Sequence, residues 1–363
     1  MESIMRNVAR SIAITLSCLS GAAAQAQTTS PVQVYGAWHC GSDYCTWSTV
    51  RTTAEFDSKN HWLIDRDGSG HPSVNVVVLS FVHPLRLLQQ TTDAQTLDGV
   101  PRGMTADIVN YFKSRGVRVM LSIGGITYVK AWNQALAADP VQLGLNAAAV
   151  AGQLGVGIEI DYEEDRSPNL TGLQSFIDAY RSQHPYDPTG ADPAARLTID
   201  LASGDRWLVG LTAKATRDWL DPRVPVFDYA NAMVPARQDS ASSFQASWQE
   251  HVDGKPQYSP SIPPLAPAKF TGSLWLVGRK ALPECTSFGS SLQKSTGPYV
   301  QGVMPNAQGP GASNGMLGFM FWAAECEGTR SVCTTPPNSC QGGVGAGATT
   351  YGVPIPMPAL RQQ

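Results

Sequence analysis

Charge is scarce in this sequence. Twenty-six Lys and Arg against 29 Asp and Glu make up 15% of 363 residues, for a net charge of -3, where a typical globular chain is about 25% charged. The slight acidity, with a pI of about 6.1, argues against a nucleic-acid binder, which would carry a basic patch or a domain pI above about 9. The 42% hydrophobic share excludes intrinsic disorder. Beyond the first 26 residues no apolar run approaches the ~18 residues that span a bilayer, so no membrane association is expected in the mature chain. No C-x-x-C pair occurs and the six His are scattered, which argues against a zinc site. No metal and no cofactor are expected. Neither a tandem repeat nor a Gly-rich dinucleotide turn after the first apolar run is found.

The first 26 residues read as a secretory signal. Arg6 and Arg10 precede the apolar stretch from Ile12 to Leu19, and Ala24-Gln25-Ala26 forms a small-residue cleavage site, so a mature chain is expected to begin at Gln27. A short buried helix is the alternative for this stretch. Cys18 falls inside it, and Thr15-Leu16-Ser17 before it fits a lipid-attachment box poorly. Removing Cys18 from the seven cysteines leaves Cys40, Cys45, Cys285, Cys326, Cys333 and Cys340. An even number after export suits disulfides in an extracellular or periplasmic compartment. A local Cys40–Cys45 bridge is expected, with the C-terminal four pairing among themselves.

Eight short apolar runs read as buried strands: Val34–Trp38, Val74–Phe81, Val117–Ile123, Gly157–Tyr162, Leu197–Ala202, Val226–Met233, Ser273–Val277 and Met316–Trp322. Continuous Val, Ile and Leu mark parallel strands covered on both faces. Helical segments fall between them. Thr105 caps Ala106–Arg115, Ala131 to Leu154 is interrupted at Pro140, and Leu173–Ser182 and Ser243–Val252 are amphipathic. Pro256–Pro267 is a loop. The fold class is α/β, a (β/α)8 TIM barrel, with a doubly wound sheet as the alternative. The expected layout is a signal over 1–26, a barrel over 27–325, and a Cys-, Gly- and Pro-rich tail over 326–363, disulfide-pinned and with no helical period. A monomer is expected.

The densest concentration of acid is Gly157-Ile158-Glu159-Ile160-Asp161-Tyr162-Glu163. Strand side chains alternate faces. Ile158, Ile160 and Tyr162 therefore turn to the helix layer, and Glu159, Asp161 and Glu163 turn together into the barrel, roughly 6.5 Å apart along the strand. Like charges and desolvation raise the pKa of at least one of three acids so placed. A carboxylic acid still protonated near neutral pH is what a general acid requires. Glu163 comes last, on the catalytic C-terminal face of such barrels. An ordinary half-solvated strand with alternating acids is the competing reading.

This strand resembles the D-G-x-D-x-D-x-E signature of family 18 glycoside hydrolases, the chitinases and endo-β-N-acetylglucosaminidases. Ser122-Ile123-Gly124-Gly125 is similar to the family's S-x-G-G on its third strand. Gly318 to Trp322 is similar to its eighth strand, Tyr35-Gly36-Ala37-Trp38 to its first, and Asp228 to Met233 to its sixth. The resemblance implies an enzyme in which the substrate's own 2-acetamido carbonyl attacks the anomeric carbon with net retention, an exception to the two-carboxylate scheme. It implies Glu163 as the acid, Asp161 as the group orienting the acetamido, Glu159 as the residue tuning Asp161, and Trp322 as the floor of the sugar site. Ser122, Gly124, Gly125, Trp38, Asn231, Met233 and Tyr229 are the further substrate-binding candidates.

The sequence departs from the signature in three places. Val156 stands for its first Asp, and Glu159, one methylene longer, for its second. Met233 is followed by Val234-Pro235-Ala236, where the family has Met-x-Tyr-Asp. This leaves Asn231 or Tyr229 to replace the missing Tyr, and losing such a donor costs on the order of 100-fold in rate. The implied partner is an N-acetylglucosamine-containing oligo- or polysaccharide, either chitin or an N-glycan core. A non-catalytic sugar-binding or inhibitor protein on the same barrel is the other reading. Two further motifs carry less. Gly311-Ala312-Ser313-Asn314-Gly315 matches a hydrolase nucleophile pattern but lacks its strand-to-helix setting, and Asn169-Leu170-Thr171 is a glycosylation sequon.

Overall fold

The computed structural model describes residues 34–40, 45–64, 72, 74–204, 207–233, 241–275 and 317–324. Eight strands run parallel: β1 Val34–Cys40, β2 Val76–Val82, β3 Arg118–Gly124, β4 Gly157–Asp161, β5 Leu197–Leu201, β6 Tyr229–Ala232, β7 Phe270–Trp275 and β8 Gly318–Ala324. Each pairs with the next, and β8 closes on β1. The chain is a (β/α)8 barrel, and all eight apolar runs contribute a strand. The seventh begins at Phe270, three residues before the expected Ser273.

Helices α1 Thr53–Asn60, α2 Pro84–Leu88, α3 Ala106–Lys113, α4 Val129–Ala138, α5 Pro140–Leu154, α6 Leu170–Gln183, α7 Val209–Lys214 and α8 Ala241–Asp253 lie between the strands. Pro140 divides α4 from α5 because it opens a helix readily but cannot continue one. Asp139 caps the new helix by accepting from the Gln142 N–H at 2.9 Å. Asn169 of the sequon is likewise a cap, accepting from the Gly172 N–H at 2.9 Å. Helices α2 and α7, of five and six residues, are too short to announce themselves by period, and α1 carries too few apolar residues to do so. The capping box of Thr52 and Glu55 was the available signal for α1.

Period two divides the strands between two cores. Val77, Leu79, Leu121, Ile123, Ile158, Ile160, Leu197 and Ile199 face the helices in one large apolar cluster. Val34, Trp38, Val76, Val78, Met120, Tyr229 and Met320 fill one part of the barrel interior. Other interior positions are polar and buried, among them Ser80, Ser122, Glu159, Asp161, Thr198, Asp200, Asn231, Thr271 and Ser273. A packed barrel interior normally carries branched apolar side chains, so this polar layer departs from what stability alone requires.

The Cys40–Cys45 disulfide is present. It leads into a turn tied to the end of β2, where the Phe81 N–H donates to the Cys45 carbonyl at 3.2 Å. Cys285, Cys326, Cys333, Cys340, the signal segment 1–26, the tail 326–363 and the Gly311–Gly315 motif lie outside the described residues. Among the described residues no helix is long and apolar enough to cross a membrane, and no cluster of His, Cys, Asp or Glu is arranged to hold a metal.

Candidate active site

The end of β4 is held by its neighbour β3. Gly124 and Asp161 are register partners, and the Asp161 carbonyl accepts from the Gly125 N–H at 3.0 Å and from the Trp132 indole at 3.0 Å. A side chain at Gly124 would run into that carbonyl and into Trp132, and its φ of 124° disfavours any other residue. The two glycines of the S-x-G-G motif therefore allow the β3 backbone to reach β4. Just past the strand, Tyr162 turns outward and its hydroxyl donates to Asn133, while the Asn169 N–H donates to the same hydroxyl at 2.9 Å. The backbone on both sides of Glu163 is fixed by these contacts.

The three acids meet different surroundings. Glu159 is fully buried and accepts from the Trp38 indole at 2.9 Å and from the Asn231 amide at 2.6 Å. Asn231 is oriented in turn by the Thr271 hydroxyl, which donates to its Oδ1 at 2.7 Å. Burial raises the Glu159 pKa, and the donors around it, Ser122 and Trp38 first, hold it back. Asp161 is 4% exposed. Burial, then the Glu163 and Glu159 charges, push its carboxyl well above the usual range. Its Oδ1 is buried without a hydrogen-bond partner. Glu163 is half-buried. Desolvation raises its pKa to about 7, against the pull of Asp161 and the Ile126 N–H.

Trp322 is half-buried at the end of β8. It stacks on Phe81 at 5.6 Å between centroids and meets Trp38 edge-on at 6.4 Å. A side chain at Gly125 would touch the Phe81 ring, and the next residue, Ile126, faces Glu163 through its N–H. An aromatic wall thus leads from β8 through β2 to the rim above the acids. Phe81 was not among the sequence candidates. Its place as the last residue of an apolar run, on the rim where β2 ends, was the available signal.

The structure brings together Glu159, Asp161, Glu163, Ser122, Gly124, Gly125, Trp38 and Asn231. Trp38 is 3% exposed and serves the interior by donating to Glu159. Tyr229 is buried among the apolar side chains of the interior, where burial raises its phenol to about 12. Met233 follows β6 half-buried and packs against the outer core. Val234-Pro235-Ala236 lies outside the described residues. Asp200 on β5 is an interior acid that sequence reading missed. It sits at the same period-two offset as the β4 acids, but it stands alone in the run Leu197-Thr198-Ile199-Asp200-Leu201.

Replacing Trp38 with Phe removes one of the two short bonds to Glu159 and leaves a buried carboxylate short of a donor. The expected cost is about 1–3 kcal/mol, read as a lowered urea midpoint with an unchanged slope. An unchanged midpoint would mean that the indole N–H does not support Glu159.

No protein-family model matches the chain, and no curated protein matches it in sequence. Among solved structures it is similar to a family 18 chitinase from Pseudoalteromonas aurantia, with 14% identity and a TM-score of 0.51, covering 80% of this chain and 94% of the other. A chitinase from Bacillus thuringiensis matches with 10% identity and a TM-score of 0.46 over 89% of this chain and 70% of the other. A chitinase from Rhizomucor miehei matches with 13% identity and a TM-score of 0.45 over 80% and 94%. Only the first is close enough to bear on architecture, and at its identity the likeness is one of fold. The chain shares the (β/α)8 fold of that Pseudoalteromonas aurantia chitinase.

Proposed function

We propose that this chain is an exported glycoside hydrolase that cleaves β-1,4-linked N-acetylglucosamine by substrate-assisted, retaining catalysis. The observation that carries the reading is the Asp161–Glu163 pair at the C-terminal end of β4, two interacting carboxyls whose surroundings both raise their pKa values. Glu163 is protonated below about pH 7 and protonates the glycosidic oxygen as the bond breaks. Asp161 lies one strand period deeper, and its unpartnered Oδ1 is free to accept the N–H of a 2-acetamido group. That contact turns the acetamido carbonyl towards the anomeric carbon, where it displaces the leaving group and forms an oxazolinium ion. Water then opens this ion with Glu163, now a carboxylate, as base. Trp322 and Phe81 offer an apolar surface for the sugar face.

The deciding experiment incubates the protein with N-acetylglucosamine oligomers, colloidal chitin and a high-mannose glycoprotein, and follows reducing ends and product anomer. Release of β-anomer from the oligomers supports the reading, and cleavage of the glycoprotein alone moves the substrate to N-glycan cores. One observation favours a sugar-binding protein without turnover. Asn231 is already committed to Glu159 and Thr271, and Tyr229 is buried, so neither stands free to replace the family's sixth-strand Tyr. Oligomer binding without cleavage would establish that alternative.

The acid assignment sets a pH dependence. Because Glu163 must hold its proton, kcat/KM is expected to fall tenfold per pH unit above about pH 7. A profile flat to pH 9 would exclude Glu163 as the acid.

A further inference from the structure

The barrel interior holds a carboxyl that the proposed reaction does not use. Asp200 on β5 is 2% exposed, and its Oδ1 has no hydrogen-bond partner. It is the register partner of Asn231 on β6, and Thr198, one period earlier on β5, is the register partner of Glu159 on β4. The titratable groups facing it are Glu159 and Asp161 from β4. Tyr229 lies nearby on β6, with Arg118 and Arg196 acting on that phenol from the starts of β3 and β5. Asp200 is therefore buried beside two other carboxyls. Adjacent acids so placed do not all ionise, and the question is which of them holds a proton.

The donors answer it. Glu159 receives the Trp38 and Asn231 N–H groups, so it is the acid best equipped to be an anion. A carboxylate offers about four lone-pair sites, and a protonated carboxyl supplies one donor. Asp200, buried with an unpartnered Oδ1 and in register with the Asn231 that donates to Glu159, is the acid placed to add a further donor. A third donor from Asp200 leaves Glu159 satisfied without Asp161, whose side-chain partner is Glu163. We propose that Asp200, in its carboxylic acid form, is a positioning residue that hydrogen-bonds Glu159 and keeps it the fixed anion of the interior, so that Asp161 is committed to Glu163. The extra methylene of Glu159 fits this role, since its carboxylate must meet donors from β1, β5 and β6 at once. Burial and the Glu159 and Asp161 charges raise the Asp200 carboxyl well above the ordinary carboxylate range, in keeping with that form.

The catalytic half of this inference rests on the proposed hydrolase activity, and the protonation half does not, so the test has two arms. Asp200→Asn keeps the shape and an N–H donor but cannot ionise. An Asp held protonated in the folded protein stabilises it below the unfolded pKa of about 4 and loses that advantage as pH rises. Melting of the full chain without substrate should show Asp200→Asn level with wild type at pH 4 and several degrees higher at pH 8. A difference that does not change with pH would overturn the proposal, whether or not the protein turns over a sugar.

The second arm measures chitooligosaccharide hydrolysis. Asp200→Ala should lower kcat at least tenfold with KM little changed, and should move the acid limb upward as Glu159, short of a donor, takes a proton. Asp200→Asn should recover most of the rate and the wild-type limb. An Asn variant as impaired as the Ala variant would also overturn the proposal. If wild type cleaves nothing, the hydrolase reading fails alone and the melting arm still decides Asp200.

Discussion

Glu163→Gln is expected to lower turnover of an N-acetylglucosamine oligomer by about 10³-fold, within the range that a positioned general acid contributes. Gln fills the same space and still bonds the glycosidic oxygen, but it has no proton to release to the departing sugar. The loss should therefore depend on the leaving group. A nitrophenolate departs without a proton, so an aryl glycoside should lose much less than an oligosaccharide. The fold should not suffer. The Glu163 pKa is raised in the folded protein, so its ionisation costs stability as pH rises through about 7, and Gln avoids that cost. The variant should melt no lower than wild type at pH 8. A Glu163→Gln enzyme within threefold of wild type on the oligomer would remove Glu163 from the mechanism.

Asp161→Asn should cost a comparable ~10²–10³-fold, the size of a lost transition-state contact, with the opposite dependence on leaving group. Asp161 is assigned to the acetamido group, which must attack the anomeric carbon whatever departs. An activated aryl glycoside should not restore the rate. This contrast separates the two residues more surely than either loss alone. Asp161→Ala adds a second sign. Its carboxyl lowers the pKa of Glu163 through their hydrogen bond, so its removal should move the alkaline limb of the residual activity above pH 7. A Glu163→Gln and Asp161→Asn pair with identical leaving-group profiles would contradict the division of roles.

Much of this site was legible in the chain. Glu159, Asp161 and Glu163 at spacing two within an apolar run can share only one face of a strand, and the strand lies among seven others of the same character. Other parts were visible but not distinguishable. Asp200 follows the same spacing, yet one acid in Leu197–Leu201 looks no different from a strand-end polar residue. Trp38 reads as a sugar contact from sequence, and the structure places its indole N–H on Glu159, 121 residues away. Asn231, like Tyr229, reads from sequence as a stand-in for a missing Tyr, and the structure shows it bonded to Glu159 and Thr271.

The sequence by itself determined which side of each strand a residue occupies, and hence that the acids enter the barrel while Ile158 and Ile160 face the helices. It could do so because side-chain alternation is local, fixed by the backbone of a single strand. Only the closed barrel decided which residues meet. β1, β4 and β6 contribute Trp38, Glu159 and Asn231 to one point because closing eight strands into a ring brings them there. Closure also buries the interior, and that desolvation, which no short segment carries on its own, raises the pKa of all three interior acids, while the donors that closure brings to Glu159 hold its rise back.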